Sequence, residues 1–254
     1  MSRPTVVIVG ANLAGGRAAE ALRAEGYDGR ILLIGEEPYR PYERPPLSKE
    51  LLRGEWPEAK AFLREEQWYA DNDVEMLLGT RVTMVDPVER SVMAGGALYD
   101  YNRLLLATGG RPRVLPVPGA ELSGVHTLRT IDDAVAIGSA VRSGARVAII
   151  GAGFIGCEVA ASARALGADV HLVDVLAVPM VRGLGEEIGA VFAQIHADHG
   201  VRLHLGTGIE RIEGASRVER VVLSDGTSID ADVVVMGVGI EPADELAHEA
   251  GLAT

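Results

Sequence analysis

The sequence predicts an α/β fold built from two similar units, and three observations carry that prediction. Short apolar runs alternate with Ala- and Leu-rich stretches at helical spacing, the pattern of strand–helix–strand units on a parallel sheet. A glycine turn closes the apolar run Val6–Val9, as Gly10-Ala-Asn12-Leu-Ala14-Gly15, and another closes Val147–Ile150, as Gly151-Ala-Gly153-Phe154-Ile155-Gly156, 141 residues later. The surroundings of the two turns agree in order: strand, turn, helix, a glycine (Gly26 or Gly167), a second strand and an acid, Glu36 or Asp174. Such an internal repeat is most economically two copies of one supersecondary design.

The elements follow from these patterns. Val6–Val9, Ile31–Ile34, Leu104–Ala107, Val147–Ile150, Val170–Val173 and Val233–Met236 are continuous apolar runs, as strands buried on both faces require. Leu13–Glu25 and Phe154–Leu166 carry apolar residues at helical spacing. Pro38 to Pro57 holds five prolines, including Pro45-Pro46, a density that blocks regular elements and stiffens a loop. Arg111-Pro-Arg-Val-Leu-Pro-Val-Pro-Gly119 reads as a linker, and the chain is expected to return near Gly239–Pro242. The expected organisation is one domain of residues 1–112 plus 241–254, with a second, 113–240, inserted into it. Both are read as Rossmann-like nucleotide-binding domains of the three-layer β/β/α type.

Composition narrows the function. The 254 residues are 48% hydrophobic, enough for two cores, but only 4% aromatic, which disfavours a base-stacking surface. A net charge of −12 argues against nucleic acid and against an anionic membrane. One local basic group stands out: Arg40, Arg44, Lys49 and Arg53 within fourteen residues. A single cysteine, Cys157, excludes a disulfide within these residues. There is no signal-peptide core at the N-terminus and no apolar run of membrane-spanning length, so a cytoplasmic setting is expected.

The glycine turns carry the chemistry. In a dinucleotide fingerprint the first glycine makes the tight turn, the second lets backbone approach the pyrophosphate, and the third lets helix and strand pack closely. The phosphates face the N–H groups at the helix N-terminus, and the acid after the next strand holds a ribose. The second fingerprint is whole: Gly151, Gly153, Gly156 and then Asp174, 23 residues after Gly151. A carboxylate there repels a 2′-phosphate, so NADH is expected over NADPH. The first places Asn12 at the middle-glycine position, where its side chain either crowds the pyrophosphate or hydrogen-bonds to it; Glu36 is its candidate ribose acid.

The segment Arg40-Pro-Tyr-Glu-Arg44-Pro-Pro-Leu-Ser-Lys49 resembles the flavin-proximal loop of FAD-dependent, NADH-using ferredoxin reductases. That family serves Rieske-type dioxygenases and bacterial cytochrome P450 enzymes, within the pyridine nucleotide-disulfide oxidoreductase superfamily. Leu105-Leu-Ala107-Thr108-Gly109-Gly110, the Gly151–Gly156 turn and Val235-Met-Gly237-Val-Gly239 fit the same pattern. The resemblance implies a flavoprotein oxidoreductase that passes electrons from NADH through FAD to a [2Fe–2S] ferredoxin. It implies that Gly10, Asn12, Ala14, Gly15, Glu36, Arg44, Lys49, Val82, Ala107, Thr108, Gly109 and Arg129 contact FAD. Lys49 would sit near the flavin N5 and pair with Glu158. Gly151, Gly153, Phe154, Ile155, Gly156 and Asp174 would hold NADH, with Gly237 and Gly239 passing close to the nicotinamide. A fixed ammonium at Lys49 would stabilise the charge a reduced flavin gains, while hydride transfer needs positioning and dryness rather than a base. The basic group of the proline loop is expected to help dock an acidic ferredoxin.

Other residues are read more plainly. Disulfide reductases of this superfamily need a cysteine pair beside the flavin, so with Cys157 alone electrons are expected to leave for an external acceptor. Cys157 is expected to be buried rather than reactive. His196, His199 and His204 are read as a solvated helix face rather than a metal set, because no cysteine lies near them. Asp225-Gly226 is a hairpin-turn pair. The resemblance also implies a further FAD segment with a Gly-Asp pair and a C-terminal β-containing domain beyond Thr254. The chain is therefore expected to be a C-terminally truncated member with weak or absent FAD retention. Two other readings stand beside this one: the same flavoenzyme type with rubredoxin, monodehydroascorbate or oxygen as acceptor, and a non-catalytic NADH-binding fragment.

Overall fold

The computed structural model describes residues 3–254, which divide into two compact units. The first runs up to Arg44, from Ala59 to Arg111 and from Pro242 onward; the second holds Pro45–Glu58 and Pro112–Glu241.

In the first unit the chain forms β1 (Thr5–Val9), α1 (Leu13–Ala24), β2 (Arg30–Ile34), α2 (Glu66–Asp71) and β3 (Val74–Leu77). A meander follows, β4 (Val82–Asp86), β5 (Ser91–Ala94) and β6 (Ala97–Asp100), then β7 (Arg103–Leu106); β8 (Gly110–Pro112) leads out. The parallel sheet has the order β3-β2-β1-β7. Its strands read as unbroken apolar runs because both faces are covered. Ile8, Ile31 and Leu33 pack with Ala19 of α1 and Tyr69 of α2, while Val7, Leu32 and Ile34 pack with Val85 and Val92 of the antiparallel meander.

The second unit repeats this plan. It contains β9 (Val125–Thr127), α3 (Ile131–Ala140), β10 (Arg146–Ile150), α4 (Phe154–Ala165), β11 (Asp169–Asp174), α5 (Val181–Asp198) and β12 (Arg202–Leu205). The meander is β13 (Ile209–Glu213), β14 (Arg220–Leu223) and β15 (Ser228–Asp230), followed by β16 (Val233–Met236) and β17 (Ile240–Pro242). After it, α6 (Glu245–Glu249) belongs to the first unit. The sheet order is β12-β11-β10-β16-β9, all parallel. Ile149 and Leu172 face α3 and α4; Ile150 and Val173 face the meander. This is the three-layer β/β/α arrangement, present twice. The Asp225-Gly226 pair turns the β14–β15 hairpin, with Gly226 at φ 86°.

The segment Pro45–Glu58, read from sequence as part of the first domain, lies with the second unit. A short 3₁₀ turn spans Pro45–Ser48, and Leu52 is buried in the α3/α4 layer. The Leu52 carbonyl sits where a side chain at Gly138 of α3 would go, so that glycine lets the segment close on the helix. Burying a side chain such as Ile149 or Leu172 contributes about 1.5–3 kcal/mol, against roughly 0–1 kcal/mol for an exposed ion pair. The cores, not the many surface ion pairs, hold the units together.

Four half-buried or buried histidines of the second unit, His126, His171, His196 and His204, are pushed below their ordinary value chiefly by burial. Arg202 can only donate, so its bond to His171 Nε2 (2.9 Å) fixes that nitrogen as acceptor; His171 Nδ1–H then donates to His204 Nε2, also 2.9 Å. A further proton on this chain breaks a hydrogen bond. With folded-state values below the ordinary 6.5, stability is full above about pH 6.5 and falls as the pH drops through that value. Urea unfolding midpoints are expected to fall from about pH 7.5 to 5.5, and to fall less in the His171→Gln/His204→Gln variant. Equal slopes would remove the pair as a cause.

Candidate functional site

The second glycine turn forms the floor of a cavity of about 740 Å³ contained within the second unit. Gly151 has φ 101°, and a side chain there would press on the carbonyl of Gly237. A Cβ on Gly156 would run into the Gly151 carbonyl oxygen, so the third glycine is what lets α4 lie against β10. Gly153 is different: its backbone is ordinary extended (φ −76°, ψ −171°), and a Cβ there would meet nothing within 4 Å. The protein itself does not require glycine at 153, a residue that lines the cavity.

Asp174 closes the same floor. Its Oδ2 accepts the Ala152 N–H at 2.6 Å and its Oδ1 the Leu176 N–H at 2.8 Å, which fixes the carboxylate at the cavity edge. Each oxygen keeps a second lone pair for a hydroxyl. Phe154, Ile155, Val175 and Ile240 line the cavity and remain exposed by 42–63%, an apolar surface of the kind a ligand covers. Gly237 and Gly239 line it as well. Sequence reasoning missed two lining residues. Arg182 lies exposed on the rim, and the Thr207 hydroxyl is buried without a hydrogen-bond partner. Neither belongs to a motif, and only the fold brings them to the turn.

The helices that follow the glycine turns start unlike α3. Thr130 and Asp133 cap α3 reciprocally, with the Asp133 N–H bonded to Thr130 Oγ1 (3.1 Å) and the Thr130 N–H to Asp133 Oδ2 (2.9 Å). Helices α1 and α4 have no side-chain cap and no acid in the first turn. Their leading N–H groups stay available to an anion.

In the first unit, Gly10 (φ 113°) turns beneath the Ala107 carbonyl, and Gly15 packs on the Gly10 carbonyl as Gly156 does on Gly151. Ala14 is exposed at the start of α1. Asn12 has φ −94° and ψ −169°, nearly the backbone of Gly153, and its Oδ1 accepts a hydrogen bond from Arg44 Nη2. Arg44 also bonds to Glu37 (2.8 Å) and to the Tyr42 hydroxyl (3.0 Å). The two acids are not equivalent. Asp174 follows Val173 directly, whereas Gly35 separates Glu36 from the matching Ile34, and Glu36 turns outward to Arg81 at 3.3 Å. Val82 is buried at the start of β4, the Thr108 hydroxyl donates to the Ala243 carbonyl, and Gly109 takes φ 74°.

Lys49 and Glu158, 109 positions apart in sequence, meet in the second unit: Lys49 Nζ lies 2.7 Å from Glu158 Oε2. The Ser48 hydroxyl donates to the same oxygen at 2.5 Å. Arg129, half-buried, leads into α3 and anchors its backbone N–H on Asp133. The proline loop is less basic than its sequence suggests. Arg40 pairs with Glu65, Arg44 with Glu37, Lys49 with Glu158 and Arg53 with Glu55.

The histidines do not form one solvated face. His196 is buried, His204 is held by His171, and only His199 is exposed, with Nδ1 on the Ile195 carbonyl. Cys157 is buried with its thiol directed at the Ala152 carbonyl; burial, aided by Asp174 and Glu158, pushes the thiol up to about 12.

Two glycine-turn cradles, each with an open helix start, define a protein built to hold nucleotides. The family described as pyridine nucleotide-disulphide oxidoreductase matches residues 4–254, and the chain belongs to it. It is 44% identical over 250 residues to the biphenyl dioxygenase system ferredoxin–NAD(+) reductase component of Paraburkholderia xenovorans, covering 98% of this chain and 61% of that protein. It is 39% identical to putidaredoxin reductase of Pseudomonas putida, covering 97% and 60%. Among solved structures, the putidaredoxin reductase–putidaredoxin complex superposes with a TM-score of 0.96 at 37% identity, over 100% of this chain and 63% of that one. A ferredoxin reductase from Rhodopseudomonas palustris gives 0.95 at 40% identity, over 98% and 62%. The chain thus spans about three fifths of the length of these relatives.

The turn geometry separates two kinds of glycine. Gly156→Ala is expected to destabilise the second unit by about 1–3 kcal/mol through backbone overlap, while Gly153→Ala leaves it within about 0.5 kcal/mol. Chemical denaturation measures both, and equal costs would contradict the distinction. The thiol gives an independent check: Cys157 should resist a thiol-specific disulfide reagent at about pH 8 in the native protein and react at once in denaturant.

Proposed function

We propose that this chain is the nucleotide-binding part of an NADH-dependent, FAD-containing ferredoxin reductase, passing electrons from NADH to a [2Fe–2S] ferredoxin. The observation that carries the reading is the cavity over the Gly151 turn, with Asp174 held at its edge and Gly153 leaving room for a phosphate. The relatives' names, ferredoxin–NAD(+) reductase components, support the acceptor.

The residues fit the nucleotides on structural grounds. At the second turn, the uncapped N–H groups of α4 suit a pyrophosphate, and the Asp174 carboxylate suits ribose hydroxyls and disfavours a 2′-phosphate. At the first, Gly10, Ala14 and Gly15 shape a matching cradle, with Glu36, Arg44, Val82, Thr108, Gly109 and Arg129 as the other FAD contacts. FAD, when bound, supplies the step from a two-electron donor to a one-electron acceptor. The chain's own contribution is positional. Phe154, Ile155 and Val238 would exclude water around a bound nicotinamide, and Gly237 and Gly239, which carry no side chain, would let backbone pass close to it. Lys49, held by Glu158, offers a fixed positive charge for an electron-rich flavin. The buried, unpaired Cys157 takes no part.

Calorimetric titration should show NADH binding more tightly than NADPH, and Asp174→Ala should weaken NADH by roughly ten- to a hundredfold through loss of charge-assisted hydrogen bonds. With FAD added, anaerobic NADH should bleach the visible flavin band, and oxidised ferredoxin should restore it. A flavin that NADH leaves oxidised would overturn the reading. Restoration by oxygen or rubredoxin but not by ferredoxin would overturn the acceptor alone.

A further inference from the structure

Ser48 is a buried serine that closes the 3₁₀ turn Pro45–Ser48. A serine in such a place readily returns its hydroxyl to the carbonyl three residues back. Here that carbonyl, on Pro45, lies 3.4 Å away, at the limit of a hydrogen bond. The hydroxyl donates instead to Glu158 Oε2 of α4, at 2.5 Å. The Pro45 carbonyl accepts from Lys49 Nζ at 3.1 Å. Ser48 and Lys49 therefore meet on one carboxylate oxygen, and Lys49 takes the local acceptor that Ser48 gives up.

Helix α4 carries a seat for this turn. Glu158 and Ser162 stand four residues apart, on one face of the helix. Ser162 is buried among alanines that are better helix formers than itself. Its hydroxyl donates to the Ser48 carbonyl at 2.6 Å and accepts from Arg53 Nη1 at 3.2 Å. Ser48 is thus held at both ends, its hydroxyl by Glu158 and its carbonyl by Ser162, and all of these residues lie in the second unit. An ammonium has three N–H donors. Lys49 directs one to Glu158 and one to Pro45, and among the described residues the third has no partner.

Resting on the FAD reading, in which Lys49 offers a fixed positive charge to an electron-rich flavin, we propose that Ser48 is the positioning residue for that charge and acts through Glu158. A carboxylate paired with lysine alone follows a flexible four-carbon stem. The Ser48 bond ties the same oxygen to a short, buried side chain on a proline-stiffened turn. The ammonium then keeps one place, and its third N–H keeps one direction.

Two measurements test the role. On the chain without flavin, acetylation of Lys49 is followed by mass spectrometry against Lys60, the other lysine of the sequence and exposed. Ser48→Ala should raise the relative reactivity of Lys49 about threefold or more; an unchanged ratio would overturn the proposal. With FAD added, the anaerobic bleaching rate at saturating NADH is expected to fall about tenfold in Ser48→Ala, with NADH affinity unchanged. In a Glu158→Ala background the same substitution should slow bleaching no further, because its effect passes through Glu158. A tenfold loss in both backgrounds would mark a merely structural serine, and a Ser48→Ala rate equal to the wild type would remove the role altogether. If Ser48→Ala no longer binds NADH, and so has lost its fold, Ser48→Cys keeps the size with a weaker donor and takes its place in each comparison. A wild-type flavin that NADH leaves oxidised overturns the FAD reading and this role with it; bleaching that is normal in the wild type and in Ser48→Ala overturns this role alone.

Discussion

Each unit depends on one close contact: the first turn of a helix resting on the carbonyl of the residue that opens the turn. At Gly156 on Gly151, and at Gly15 on Gly10, no Cβ fits. This contact sets the distance between helix and sheet, and so decides which strand residues reach the helix layer. It also aims the helix axis at the turn, which leaves the first N–H groups facing the place where a phosphate would lie. Packing and binding are two results of the same approach.

Among the described helices α3 alone carries a side-chain cap; α2, α5 and α6 lack one, as α1 and α4 do. Thr130 and Asp133 satisfy the start of α3, a cap worth about 1 kcal/mol. The chain forgoes that stabilisation at α1 and α4, where the caps are Asn12, with its oxygen on Arg44, and Gly153, which has no side chain. At α4 the uncapped start lies beside Gly153, Phe154 and Ile155, which line the cavity.

Much of this was legible in the sequence. The parallel strands and both turn helices announced themselves as continuous apolar runs closed by glycine, and their ends agree with the structure to within a residue. The meanders did not. β4–β6 and β13–β15 are short antiparallel strands with one exposed face, whose weak alternation resembles a loop. The site was legible where chemistry depends on backbone, at Gly151, Gly153 and Asp174, and dark where it depends on tertiary approach, at Arg182 and Thr207. His196 failed as a surface residue because helical spacing alone does not say which face another element covers. Pro45–Glu58 was misplaced for a similar reason: its prolines signal a stiff loop, while the side chain that decides its allegiance is a single leucine, Leu52.

The pairing of the proline loop has a kinetic side. Each of Arg40, Arg44, Lys49 and Arg53 already sits against a carboxylate, on a chain of net charge −12. From a distance beyond the Debye length of about 8 Å, such a loop presents little net field. An acidic protein would be neither drawn in nor oriented by it; attraction would begin only at contact, as one carboxylate displaced another. Encounter rates governed by such exchange depend weakly on ionic strength, and selectivity then resides in how long partners stay together rather than how fast they meet.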